Sequence, residues 1–272
     1  MANLKVGIQL YSLRDKMEAD MYGTLKAVKE MGYDCVEFAG YFGKTAEEIK
    51  AMLDELGLEC ISVHQLIETK EAAEYVKALG AKYAAIPWYK VEEFHDNWDA
   101  TIEKFTNSGK LLFETGLEML YHNHDFEFQK KDGELIIDKL YSTIDSKYLN
   151  PEFDTCWVKY AGYEPTEYLA KYAGRINVVH IKDFWAKKLA SGPVYALIDS
   201  EGKVDEEDKP VENEREFEFR PVGSGIQDVK AIVEASIKAG AGYIIVEQDQ
   251  WYEGDNLADA KKSREYLKSL GY

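Results

Sequence analysis

Residues 47–64 read EEIKAMLDELGLECISVH, and this stretch contains one complete helix-to-strand unit. Apolar side chains fall at Ile49, Met52, Leu53 and Leu56. That 3/4 spacing lines one face of a helix with core-facing residues. Gly57 follows where a helix commonly ends in a left-handed residue. Glu59–His64 is then short and mostly apolar, which suits a strand covered on both faces. The strand ends on a group that can do chemistry, His64.

The same unit recurs eight times. Further strand-like runs cover residues 6–11, 35–39, 83–88, 117–122, 149–154, 176–181 and 243–247. Glycine stops recur at Gly32, Gly80 and Gly240. Strand–helix alternation implies a parallel sheet. Eight units predict closure into a single (β/α)8 barrel over residues 1–272. The rival, an open doubly wound sheet, normally carries a glycine-rich loop after an early strand; here the first strand runs into Gln9-Leu10-Tyr11-Ser12-Leu13-Arg14. Residues 126–135, centred on Asp132-Gly133, predict a hairpin on the fifth strand–helix loop. Residues 191–220, acidic from 199 to 218, predict an insertion after strand seven.

Composition narrows the function. At 272 residues, 46% hydrophobic and 31% charged, the chain is long enough to bury a large core. A net charge of −17 disfavours nucleic-acid binding, which relies on Lys and Arg neutralising phosphates. No apolar run approaches the roughly 20 residues that span a bilayer. Cys35, Cys60 and Cys156 are scattered and odd in number, which points to a reducing compartment. With no signal-peptide layout at the start, the expected location is cytoplasmic.

In barrels of this kind the active site is built from the C-terminal ends of the strands. Those ends carry His64, His122-Asn123-His124, Asp154, His180-Ile181-Lys182-Asp183 and Glu247. Imidazole and carboxylate together suit one borderline divalent ion, with Mn2+ first and Co2+, Mg2+ or Zn2+ as alternatives. Asp154, His180 and Glu247 are the expected ligands. For the fourth, Glu127 ranks first, His124 second, and Glu118 lies deeper. His124 or His122 is then the expected proton carrier, and Lys182 a group that steadies an enolate or a leaving oxygen. Trp88, Trp157, Trp185 and Trp251 sit just past strand ends and predict, with His64, a substrate wall suited to a sugar ring. No phosphate-cradling motif is present, so a phosphorylated substrate is not expected.

At these residues the chain resembles the xylose isomerase-like barrel superfamily, the sugar phosphate isomerase/epimerase group. The resemblance rests on residues 7–14, 32–40, 121–128, 153–158, 179–183 and 221–225, and so spans nearly the whole chain. It implies a divalent ion held by carboxylates and a histidine on strands five to eight. Strand five departs, because many relatives carry Glu there and this chain carries His122-Asn123-His124. The branch with that run is similar to the large subunits of C-glycoside deglycosidases. The resemblance therefore implies two activities on a small sugar-like substrate: isomerisation or epimerisation of a keto-sugar, or a lyase of the 3-keto-glycoside or inosose dehydratase kind. It also implies a homo-oligomer or a small partner subunit. A non-catalytic sugar-binding barrel is the third reading. Metal-dependent abasic-site endonucleases of the same superfamily are basic and have more histidines; five histidines and −17 depart from both traits.

Overall fold

The computed structural model describes residues 4–190, 217–252 and 254–272. Eight parallel strands close into a barrel: β1 Lys5–Gln9, β2 Cys35–Phe38, β3 Glu59–His64, β4 Tyr83–Ile86, β5 Glu118–His122, β6 Asn150–Asp154, β7 Val178–Ile181 and β8 Tyr243–Val246. Each strand pairs with its neighbours in sequence order, and β8 closes on β1 through Tyr243↔Lys5 to Val246↔Ile8. All eight expected strands are present, several ending earlier than expected. The first stops at Gln9, whose side chain accepts the N–H of Tyr11 and turns the chain into a 3-10 helix, Leu10–Leu13.

Successive side chains of a strand point to opposite faces. One parity feeds the core between barrel and helices, where Val6, Ile8, Val36, Phe38, Phe153, Val179 and Ile244 are buried. The other fills the barrel interior with Cys35, Ile61, Tyr83, Ala85, Leu120, Val178 and Ile245. Gly7 belongs to this inner layer, and a Cβ there would meet Ile245 Cδ1 at 2.6 Å and Cys35 Sγ at 2.7 Å. Its missing side chain leaves room for its neighbours. The helix Ala46–Leu56 carries the expected stop at Gly57 (φ 65°), and a capping box at Thr45 and Glu48 starts it.

The hairpin is present: Lys130–Lys131 pairs antiparallel with Glu134–Leu135, and the turn residues Asp132 and Gly133 have φ of 55° and 88°. Most of the expected acidic insertion, residues 191–216, lies outside the described residues. Its last residues, Phe217–Arg220, pair antiparallel with Asp183–Ala186 and form a two-stranded arm beside the mouth. Asp183 ties this arm down by accepting N–H groups from Phe184, Gly223, Gly225 and Gln227. All three cysteines are buried and free. Among the described residues, no helix is long and apolar enough to cross a membrane.

Candidate metal and catalytic site

Above the apolar plug, the inward parity of the strands turns polar. Val178 is followed two residues on by His180 and then Lys182; Ile245 by Glu247 and then Asp249; Leu120 by His122; Cys35 by Glu37. Because parallel register sets the heights, these side chains form two stacked layers at the C-terminal mouth.

The upper layer holds His122, Asp154, His180 and Glu247, whose nearest donor atoms all lie within 4.8 Å of one another. Asp154 is held by the helix that follows it. Its Oδ1 accepts the N–H of Cys156 at 2.8 Å and caps the helix Thr155–Tyr160. Its Oδ2 makes no hydrogen bond and lies 3.4 Å from His122 Nε2 and 3.1 Å from Lys182 Nζ. Glu247 Oε2 is 2.9 Å from His180 Nδ1 and 3.3 Å from His122 Nε2. Neither ring nitrogen of buried His122 has a hydrogen-bond partner. Buried polar atoms are nearly always satisfied, so these orphans fit a ligand set: two imidazoles and two carboxylates around one point, donors suited to a divalent ion.

Lys182 is fully buried, its ammonium 3.1 Å from Asp154, 3.1 Å from Glu247 and 3.0 Å from Asp249. Burial raises the pKa of Asp154 and of Glu247, but the charges of Lys182 and the neighbouring histidines outweigh it and bring both below the usual carboxylate range. Asp249 ends above its ordinary value, with burial dominant. His180 rises well above an ordinary imidazole because Glu37, Glu152 and Glu247 surround it, against the opposing effect of burial.

The lower layer holds Glu37, His64, Glu152 and His180, again with donor atoms within 4.8 Å. Glu37 Oε2 lies 2.7 Å from His180 Nε2 and 3.0 Å from His64 Nε2, and accepts Gln9 Nε2–H at 2.8 Å. His64 Nε2 also meets Glu152 Oε2 at 3.0 Å. Burial opposes the charged imidazolium of His64, yet these carboxylates raise it to about 10.

The structure thus brings Asp154, His180 and Glu247 together as the sequence reading expects, and places the other expected residues as follows. Glu127 is turned away: Oε1 accepts the Tyr121 hydroxyl at 2.6 Å and Oε2 accepts the His124 N–H at 2.8 Å. Both oxygens are spent on holding the loop, and burial pushes this carboxyl up to about 8. Glu118 opens β5 at the opposite end of the barrel, where it is exposed and bonded to Asn177. His122, expected to move protons, stands among the donors instead. His124 is buried beside it, with ring centroids 5.2 Å apart, and stacks on Phe126. Burial first, then the charges of His122 and Lys182, hold His124 well below an ordinary imidazole, so it is neutral. His64 sits in the lower layer, engaged by two carboxylates, rather than on a substrate wall.

Trp88, Trp185 and Trp251 are exposed by 38%, 38% and 48% at the rim, whereas Trp157 is fully buried. Trp157 packs under the arm, stacked on Phe217 at 5.7 Å. The sequence reading also missed Glu37, Glu152 and Asp249 as members of the cluster. Their signal was a carboxylate at inward parity in or just past an otherwise apolar strand.

Fold and donor set together define a parallel barrel with a buried imidazole–carboxylate centre at its C-terminal mouth. The chain belongs to the xylose isomerase-like TIM barrel family, whose model matches residues 25–270. An inosose dehydratase of Geobacillus kaustophilus is 26% identical over 188 residues, 58% of this chain and 60% of that protein, so this chain spans only part of that relative. A sugar phosphate isomerase/epimerase from Parabacteroides distasonis superposes with a TM-score of 0.76 at 22% identity, covering 99% of this chain and 95% of that one. The IolI protein with a bound zinc atom superposes with a TM-score of 0.67 at 13% identity, covering 98% of each chain. These two likenesses speak to the fold.

Proposed function

We propose that the chain is a divalent-metal-dependent isomerase or epimerase of a keto-sugar or sugar-like polyol. The observation that carries this reading is the convergence of His122, Asp154, His180 and Glu247, with orphaned donor atoms, next to a buried ammonium and a neutral imidazole. These four residues would hold the cation, with His122 in the place expected for Glu127. A bound cation would polarise a substrate carbonyl and lower the acidity barrier at the adjacent carbon.

The chain's own groups do the rest. His124, neutral and buried, accepts the proton from that carbon at a ring nitrogen and returns it to the neighbouring carbon or to the other face. Lys182 directs an N–H at the oxygen on which negative charge develops. Asp249 would hold that ammonium once Asp154 and Glu247, which now also lie against it, turn to the cation. The exposed rings of Trp88, Trp185 and Trp251 offer flat apolar surfaces to a sugar face.

Elimination is the second reading, favoured by the inosose dehydratase relatives. It shares the first proton transfer, and Lys182 would then protonate the departing hydroxyl. Incubation of Mn2+-loaded protein with keto-sugars and inososes in deuterated water tests both. Deuterium entering recovered substrate together with an isomeric product supports the first reading; a product lacking one water relative to the substrate supports the second. Failure to exchange any carbon-bound proton across the panel counts against both.

A further inference from the structure

Among the described residues, His180 belongs to both four-residue groups, and it faces each through a different nitrogen: Nδ1 toward Glu247 above, Nε2 toward Glu37 below. A neutral imidazole has one lone pair and one N–H. Ligation through Nδ1 therefore leaves Nε2 as a donor, and the carboxylate that meets it is Glu37, at 2.7 Å. We infer that Glu37 is the positioning residue of the metal centre: it takes the Nε2–H of His180, fixes the tautomer, and so aims the Nδ1 lone pair at the cation site. This rests on the metal-centre reading above.

Glu37 Oε1 and Glu152 Oε1 have no hydrogen-bond partner, but two observations and one chemical argument separate this from the alternative that the lower layer is itself a second cation site. Glu37 Oε2 is already engaged by Gln9 from β1, His64 from β3 and His180 from β7, so its position is set by protein donors. A second cation bound through Nε2 would require His180 to give up both ring protons. Glu152, the other carboxylate of this layer, stands 3.7 Å from His180 Nε2, beyond hydrogen-bond reach, and is turned to His64. Equally buried, Glu37 and Glu152 thus differ in whether they touch the ligand histidine, and that difference supplies a control.

The test is titration of metal-free full-length protein with Mn2+, comparing wild type, Glu37→Gln and Glu152→Gln. The inference predicts one ion per chain for wild type. Affinity drops by about 10- to 100-fold in Glu37→Gln, the usual effect of losing a partner behind a ligand, and stays within about threefold in Glu152→Gln. Co2+-loaded samples add a readout that general destabilisation does not move. The exchangeable imidazole N–H of His180 gives a hyperfine-shifted proton resonance that persists in Glu152→Gln and moves in Glu37→Gln. Equal weakening in both variants overturns the inference, since charge alone would then matter. So does a second ion in wild type that Glu37→Gln abolishes. A wild-type chain that binds no ion instead removes the metal-centre reading on which the inference rests.

Discussion

The two polar layers of the barrel mouth are each built from two imidazoles and two carboxylates, yet they are finished differently. In the lower layer, protein groups meet protein groups: three donors converge on one oxygen of Glu37, and His64 lies between two carboxylates. In the upper layer, His122 has two unbonded ring nitrogens, Asp154 an unbonded oxygen, and a lysine ammonium lies against the carboxylates. Each layer also keeps buried oxygens without a hydrogen bond, Glu37 Oε1 and Glu152 Oε1 below and Asp154 Oδ2 above. What separates the layers is His122: of their imidazoles, it alone has both ring nitrogens unbonded, as a histidine shaped for a ligand would.

The largest expected break comes from His124, the proposed proton carrier beside the upper layer. His124→Asn should lower kcat by ~10²–10⁴-fold while leaving Mn2+ affinity nearly unchanged, because His124 is outside the donor set. Steady-state kinetics with parallel metal titration checks this; a loss of metal in step with activity would make His124 a ligand. Next, Glu247→Gln removes an upper-layer donor and should weaken Mn2+ by more than about 100-fold, beyond the range for residues that only back a ligand. Calorimetric titration decides it, and an unchanged affinity would dissolve the contrast between layers.

Glu127 offers a pH test. Burial raises its carboxyl from the ordinary 4.5 to about 8. A carboxyl raised by folding adds stability that is complete below about pH 4.5 and lost as pH climbs through about 8, because the ionised form is then disfavoured in the folded state. Between about pH 5 and pH 8 this one group should cost up to roughly 3 kcal/mol. Glu127→Gln has no titrating group; its carbonyl can accept the His124 N–H while its amide donates to the Tyr121 oxygen, so its denaturation midpoint should fall less steeply over that range than that of wild type. Parallel slopes would show that Glu127 remains ionised in the fold, as a metal ligand would. The smallest effect belongs to the rim: Trp251→Ala should raise KM by roughly 2- to 10-fold with kcat little changed, the 0.5–1.5 kcal/mol scale of an aromatic contact.

Much of the barrel was legible because its signals are local. The 3/4 spacing from Ile49 to Leu56, the stop at Gly57 and the buried run to His64 each follow from neighbours in sequence. The convergence of Asp154, His180 and Glu247 was legible because a strand end fixes both height and face. Glu127 was misjudged because it lies past the strand, in a 3-10 turn, where direction depends on Tyr121 and on a loop N–H that no periodicity reveals. Trp157 was misjudged for a related reason: its cover is the arm strand Phe217–Arg220, some sixty residues later in the chain. Glu37 and Glu152 read as ordinary strand residues: Glu152 is level with Val178, below His180, and only the reach of the side chains brings Glu37 to His180 and both carboxylates to His64.

Anomalous diffraction from crystals grown with Mn2+ would test the central claim most directly. A single strong peak bonded to His122, Asp154, His180 and Glu247, with Lys182 displaced toward Asp249 and Glu127 still bound to Tyr121, is the expected result. A peak ligated by Glu127, a peak in the lower layer, or no peak at all would contradict it.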